Sequence, residues 1–165
     1  MNHDPAQPAA KHAAKSTPRP TQAALQKLLV QASHAGIYPL PHGVQTALTK
    51  AAKAIGFGCF NVNFEASDHM GTILAALGRD LHFPDWYGAN FDALNDCLTD
   101  FSWREAPGYV LIISAADELH SSPESFSALN DVFANAIEAW RAQGIPLWIF
   151  YKLRADGLAT LPTLA

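Results

Sequence analysis

The spacing of hydrophobic positions changes several times along the chain. Behind Thr21, a good helix-capping residue type, Ala24, Leu25, Leu28 and Leu29 recur at helical spacing. The stretch Ile37-Tyr-Pro-Leu-Pro-His-Gly43 then reads as a turn. A second helix is predicted from Val44, Ala47, Leu48, Ala51, Ala52 and Ile55, ended by Gly56. From Cys59 to Phe64 the period drops to two, as in a strand. Met70, Ile73, Leu74 and Leu77 return to helical spacing behind Ser67 or Asp68 as cap, and Pro84 bars that helix from continuing. A further helix is expected from about Ala89 to about Thr99. Tyr109–Ser114 and Leu147–Tyr151 are continuous apolar runs, the signature of strands covered on both faces. Between them Ser122-Pro123 opens a long helix with Phe126, Leu129, Phe133, Ile137 and Trp140 as its stripe and Gly144 as its stop.

Helices that alternate with strands favour parallel pairing through right-handed crossovers. The expected fold class is therefore α/β: a three-stranded, mainly parallel sheet (59–64, 109–114 and 147–152) packed by helices, plus an N-terminal helical extension. Four segments follow. Residues 1–20, with Pro5, Pro8, Pro18 and Pro20, form an Ala/Pro-rich arm expected to be disordered. Residues 21–56 are the helical extension, 57–153 the α/β domain and 154–165 a C-terminal tail.

Composition narrows the class. With 165 residues, 49% of them hydrophobic and 16% charged, the chain suits one domain with a substantial core. There is no signal-like leader, no run approaching a membrane span and no Cys-x-x-Cys, so free thiols in a reducing, cytoplasmic setting are expected. Cys97 lies between helical neighbours Leu94 and Leu98 and is expected to be buried. The net charge of −4 conceals a split. Residues 1–56 hold six basic residues against one acidic, a net of +5, whereas 57–165 hold five against fourteen, a net of −9. An acidic domain points to a basic partner and away from nucleic acid.

The helix after Pro84 concentrates this charge. Phe91, Leu94, Leu98 and Phe101 fall on one side, and Asp92, Asn95, Asp96 and Thr99 on the other. Asp92 and Asp96 form a like-charged i,i+4 pair, which costs a helix roughly 0.2–0.5 kcal/mol. A solvated helix face is the ordinary explanation; a surface that meets cations is the functional one. The preceding Asp85-Trp86-Tyr87-Gly88 favours the second, because aromatics beside charges are typical of interface anchors, although one of the two aromatics is expected to close the core.

On these residues the chain resembles a known family. Phe83-Pro-Asp-Trp-Tyr-Gly-Ala-Asn-Phe-Asp-Ala-Leu-Asn-Asp-Cys-Leu-Thr99 is similar to the signature segment of barstar, the intracellular inhibitor of barnase-type ribonucleases. The order strand, helix, signature, strand, long helix, strand matches as well. The resemblance implies a barstar-like domain whose acidic helix and aromatic loop block a ribonuclease active site. It implies partner-binding roles for Trp86, Gly88, Asn90, Asp92, Asn95, Asp96, Thr99 and Phe101. Asp96 would enter the phosphate pocket, Asp92 would pair with a basic residue beside it, and Trp86 would pack on a catalytic His of the enzyme. Four positions depart from the family pattern. Asn95 replaces a large aromatic, Phe101 replaces Trp, Ala89 replaces an acid, and Glu138 sits one position off a distal acidic contact.

The expected partner is a basic, barnase-like extracellular-type ribonuclease; the alternative is a barstar-like module for another basic protein. Direct nucleic-acid binding through the basic N-terminal segment and a small hydrolase are weaker readings, and no membrane association is expected. The sequence holds no Gly-x-Ser-x-Gly, no Gly-x-x-x-x-Gly-Lys-Ser/Thr and no metal-ligand spacing among its seven histidines. No catalytic residue, metal or cofactor is expected, and no enzymatic activity.

Overall fold

The computed structural model describes residues 19–154. The central feature is a four-stranded, all-parallel sheet of order β1-β4-β3-β2, formed by β1 (Ile37–Pro39), β2 (Gly58–Asn63), β3 (Tyr109–Ser114) and β4 (Leu147–Tyr151). Among the described residues six α-helices surround it: α1 (Gln22–Leu29), α2 (Gln45–Ala54), α3 (Met70–Asp80), α4 (Phe91–Leu98), α5 (Asp117–His120) and α6 (Pro123–Arg141). The proposed arm lies outside the described residues except for its last two positions, and so does the proposed C-terminal tail after Arg154.

The α/β class and the three expected strands are present, but the sheet has a fourth. The segment 37–43, read as a turn, contributes β1, which pairs with β4 through Ile37–Ile149, Tyr38–Phe150 and Pro39–Tyr151. Two prolines concealed it. Proline is tolerated in an edge strand because its missing N–H need not join the ladder, and here Leu40 supplies the next donor, to the carbonyl of Tyr151 at 2.8 Å. The caps follow expectation at Thr21, whose hydroxyl oxygen accepts from Ala24 N at 3.1 Å. They do not at Ser67 and Asp68: His69 holds the N-cap of α3, Ser67 Oγ accepts from the His69 amide, and Asp68 instead accepts from the Ser122 hydroxyl.

Strand alternation divides the sheet into two faces, and both are apolar at its centre. One carries Phe60, Tyr109, Leu111, Ile149 and Tyr151, and α4 and α6 pack over it. Trp140 of α6 lies 5.4 Å from the Tyr109 ring and donates its indole N–H to the Leu98 carbonyl at 2.6 Å. The Tyr151 hydroxyl donates to Asn130 Oδ1 at 2.7 Å. The opposite face carries Val110, Ile112, Trp148 and Phe150, and α1 and α2 lie over it. There the indole N–H of Trp148 donates to Leu29 O at 2.9 Å, while Gln45 donates to Asn61 Oδ1 at 3.3 Å.

Topology requires this division. The path β2 to β3 to β4 steps across the sheet in one direction with α3 to α6 as its connections. The path β1 to β2 runs the other way, from edge to edge, through α2. A right-handed crossover travelling in the reverse direction must lie on the reverse face. Residues 19–56 are therefore continuous with the core, contributing Leu25, Leu28, Leu29, Leu48, Ala51 and Ala52 to the same cluster as β3 and β4.

A chain lacking residues 1–56 should expose Trp148 and Phe150, bind a hydrophobic dye and lose cooperative unfolding in a urea titration. In the full chain, Trp148→Ala should lower stability by roughly 3–5 kcal/mol.

Candidate functional site

The segment from Pro84 to Asp100 is built as a rigid shoulder with one aromatic turned inward and one turned out. Tyr87 faces in: its hydroxyl donates to Leu74 O at 2.8 Å, and its ring meets Phe83 edge-on at 4.8 Å. The fit depends on Gly78, where a Cβ would stand 2.7 Å from the Tyr87 ring. Burial, with a smaller contribution from Cys97, pushes the Tyr87 phenol well above its ordinary range. Trp86, its neighbour, is 57% exposed, and only Val30 joins it as an exposed large hydrophobic residue among the described residues. No packing requirement accounts for that indole.

The turn into α4 is set by three residues. Ala89 adopts a left-handed backbone, φ 52°, which reverses the chain. Asn90 is the N-cap, its Oδ1 accepting from Ala93 N at 2.8 Å. Gly88 leaves room for that cap, since a Cβ there would lie 3.3 Å from Asn90 Nδ2. On α4, Leu94, Cys97 and Leu98 are buried, whereas Asp92 and Asp96 are exposed one turn apart. Neither aspartate has an ion-pair partner among the described residues. Other acids do: Glu65 and Asp80 pair with Arg79, Glu138 with Arg141, and Asp117 with Arg154. Arg79 holds the Asp80 carboxyl below its ordinary range, helped by the Asn63 amide.

The remaining expected site residues divide. Asn95 is half-buried and its Oδ1 accepts from Asn135 Nδ2 of α6 at 2.7 Å, an amide bridge between the helices. Thr99 turns its hydroxyl back onto the helix, donating to Asn95 O at 2.8 Å, so that group ends α4. Phe101 is not on the surface at all, which corrects its expected role in partner contact. It is fully buried, stacked on Tyr109 at 4.4 Å and Phe60 at 5.9 Å. Its left-handed backbone, φ 48°, is strained for a bulky residue and swings the ring inward once α4 has ended. Glu138 is occupied: its partner Arg141 also donates to the carbonyls of Ala32 and Ala35. Sequence reasoning missed Asn135, because nothing in the helical pattern of α6 links one polar position to Asn95.

Cys97 is buried, and its thiol is pushed up to about 11 by that burial, with Asp100 and Asp96 adding to it. It stays a neutral thiol at physiological pH, unsuited to nucleophilic chemistry. The site offers an exposed indole, two uncompensated carboxylates and an amide bridge, all fixed by buried neighbours. Such a surface can dock a cationic partner.

A family model matches residues 57–152, and its description is Barstar (barnase inhibitor). The chain belongs to the barstar family. The match spans β2 to the first residue beyond β4, with the shoulder and α4 inside it; β1, α1 and α2 precede it. No curated protein matches. Among solved structures, the chain is similar to the Aeropyrum pernix ORC2 protein in its ADPNP-ADP complexes, at 18% identity and a TM-score of 0.44. That likeness covers 79% of this chain and 40% of the other, and at such a level it carries no argument about the barstar-family chain.

The two aromatics of the shoulder should separate cleanly on mutation. Trp86→Ala should leave the urea midpoint almost unchanged, within about 0.5 kcal/mol, as expected of a surface position. Tyr87→Ala should lower stability by at least about 2 kcal/mol, since it removes a partly buried ring and the hydroxyl bonded to Leu74 O. Ala89→Gly should raise stability by about 1 kcal/mol, read as a higher urea midpoint, since glycine removes the left-handed penalty.

Proposed function

We propose that this protein is an inhibitor that docks Trp86 and the Asp92/Asp96 face of α4 into the active-site groove of a basic ribonuclease. The observation that carries the reading is the uncompensated pair Asp92 and Asp96 beside a half-exposed Trp86, inside the segment matched to the barstar family. A ribonuclease groove holds cations to bind phosphate, and a carboxylate can stand in for one phosphate charge. In this reading Asp96 meets the cation cluster, Asp92 a cation beside it, and Trp86 packs on a ring or aliphatic surface of the enzyme. Gly88 and Asn90 hold the turn that aligns them. The inhibitor does no chemistry itself and would act in the cytoplasm of the cell that makes the enzyme.

A second reading, a module for a different basic protein, is favoured by two observations. Asn95 is bridged to Asn135 and offers little apolar area, and Glu138 is already paired with Arg141. Both narrow the contact surface available to a barnase-type enzyme.

The experiment is titration calorimetry of the protein into a barnase-type ribonuclease, with RNA-cleavage inhibition read in parallel. Asp96→Ala should weaken the complex most, by roughly 2–5 kcal/mol, the range for truncating one member of a buried charged pair, this family's pairs included. Asp92→Ala and Trp86→Ala should follow, and Asn95→Ala should matter least. The association rate should fall steeply between low and high salt, because screening removes the steering of acidic face to basic groove. Absence of any complex with a barnase-type enzyme, together with salt-sensitive capture of another basic protein, would favour the second reading.

A further inference from the structure

A second feature stands apart from the α4 surface and shares no residue with it. At the carboxyl ends of β1, β3 and β4 the structure has an open crevice of about 540 Å³. Its position follows from the topology. The connection leaving β1 passes over one face of the sheet through α2, and the connection leaving β3 passes over the other through α5 and α6. β4 lies between them and is followed by no helix among the described residues. The chain therefore parts at the strand ends, and in open parallel sheets such a parting is where small ligands are held. The volume is that of a ligand pocket, within the usual range of about 300–1,000 Å³.

The lining has two kinds of wall. Leu40, Pro41 and Leu153 are apolar. The rest of the lining includes Lys152 and Arg154, two of only five basic residues in the acidic stretch 57–165, together with His42. Lys152 is exposed and has no ion-pair partner among the described residues. Asp117 accepts from the Arg154 backbone N–H at 2.9 Å and lies 3.9 Å from its guanidinium. Arg19 adds charge at the rim. Its guanidinium lies 2.7 Å from where a Cβ would stand on Gly43, a position that only glycine fills easily at φ +76°. Ala115, also in the lining, holds a left-handed backbone at φ 54°. Local strain of this kind is concentrated at ligand sites.

We propose that this crevice binds a small phosphate-bearing ligand of nucleotide size, with its phosphates against Lys152 and Arg154 and its apolar body against Leu40, Pro41 and Leu153. Cations that cluster where the rest of the domain is anionic attract such a ligand, and the apolar wall distinguishes it from a bare anion. Asp117, the one carboxylate in the lining, partly offsets the positive charge of Arg154.

The test is calorimetric titration of the full chain at low salt with ATP as the organic phosphate and inorganic phosphate as the bare anion. ATP should bind, and inorganic phosphate should bind at least about tenfold more weakly, a difference near 1.4 kcal/mol. Lys152→Glu should weaken ATP binding at least about tenfold while keeping the urea midpoint. Lys50→Glu, the same charge change at an exposed position of α2 outside the crevice, should leave ATP binding as it was. Three results would overturn the proposal: no heat with millimolar ATP, equal binding of ATP by Lys152→Glu and wild type, or equal losses in the two charge-reversal variants.

Discussion

Everything in this fold depends on the two central strands being apolar on both sides. β3 and β4 present Tyr109, Leu111, Ile149 and Tyr151 one way and Val110, Ile112, Trp148 and Phe150 the other, and nearly all are out of solvent. A sheet of that kind is stable only with helices on each face. The α4 and α6 pair supplies one cover. The other comes from α1 and α2, which lie before the segment matched to the family. The N-terminal helices are thus structural partners of the family domain, fastened by the Trp148 indole to Leu29 and by Arg141 to the turn at Ala32 and Ala35.

The same constraint explains how the outer side of α4 is left free of core packing. The inward side of α4 is committed through Leu94, Cys97 and Leu98, and the loop before it is pinned by Tyr87. Because those groups fix the backbone, the outward side can carry residues that do not help the fold. Two aspartates one turn apart are such residues, and so is a half-exposed indole. Arg79, Arg141 and Arg154 are engaged with other acids, and among the described residues no cation forms an ion pair with either aspartate.

Much of this could be read from sequence because it depends on periodicity. The α/β class, the helices and three of the strands follow from apolar spacing, and the unlike sides of α4 follow from a 100° step. Elements that depend on long-range partners were hidden. β1 is three residues long and pairs only with β4; the prolines of its segment read locally as a turn. The bridge between Asn95 and Asn135 joins positions 40 residues apart, with no local trace. Phe101 was ambiguous for a different reason: it lies on the core side of α4 by helical phase, yet the family resemblance placed it at the interface. The left-handed turn after Thr99 resolves that conflict in favour of the core.

The two outer strands have a consequence for how this molecule can meet other proteins. At one border β1 is only three residues long and includes Pro39, which has no N–H to offer. At the other, the Asn63 amide at the end of β2 is already satisfied by Asp80 Oδ2 at 2.9 Å. A short border with a proline on one side and an occupied terminal amide on the other both reduce the template for main-chain pairing. Main-chain pairing with a foreign strand is disfavoured most strongly at the β1 margin. That shifts the weight of association toward side chains on the helical exterior, where identity is set by charge and shape rather than by the generic backbone.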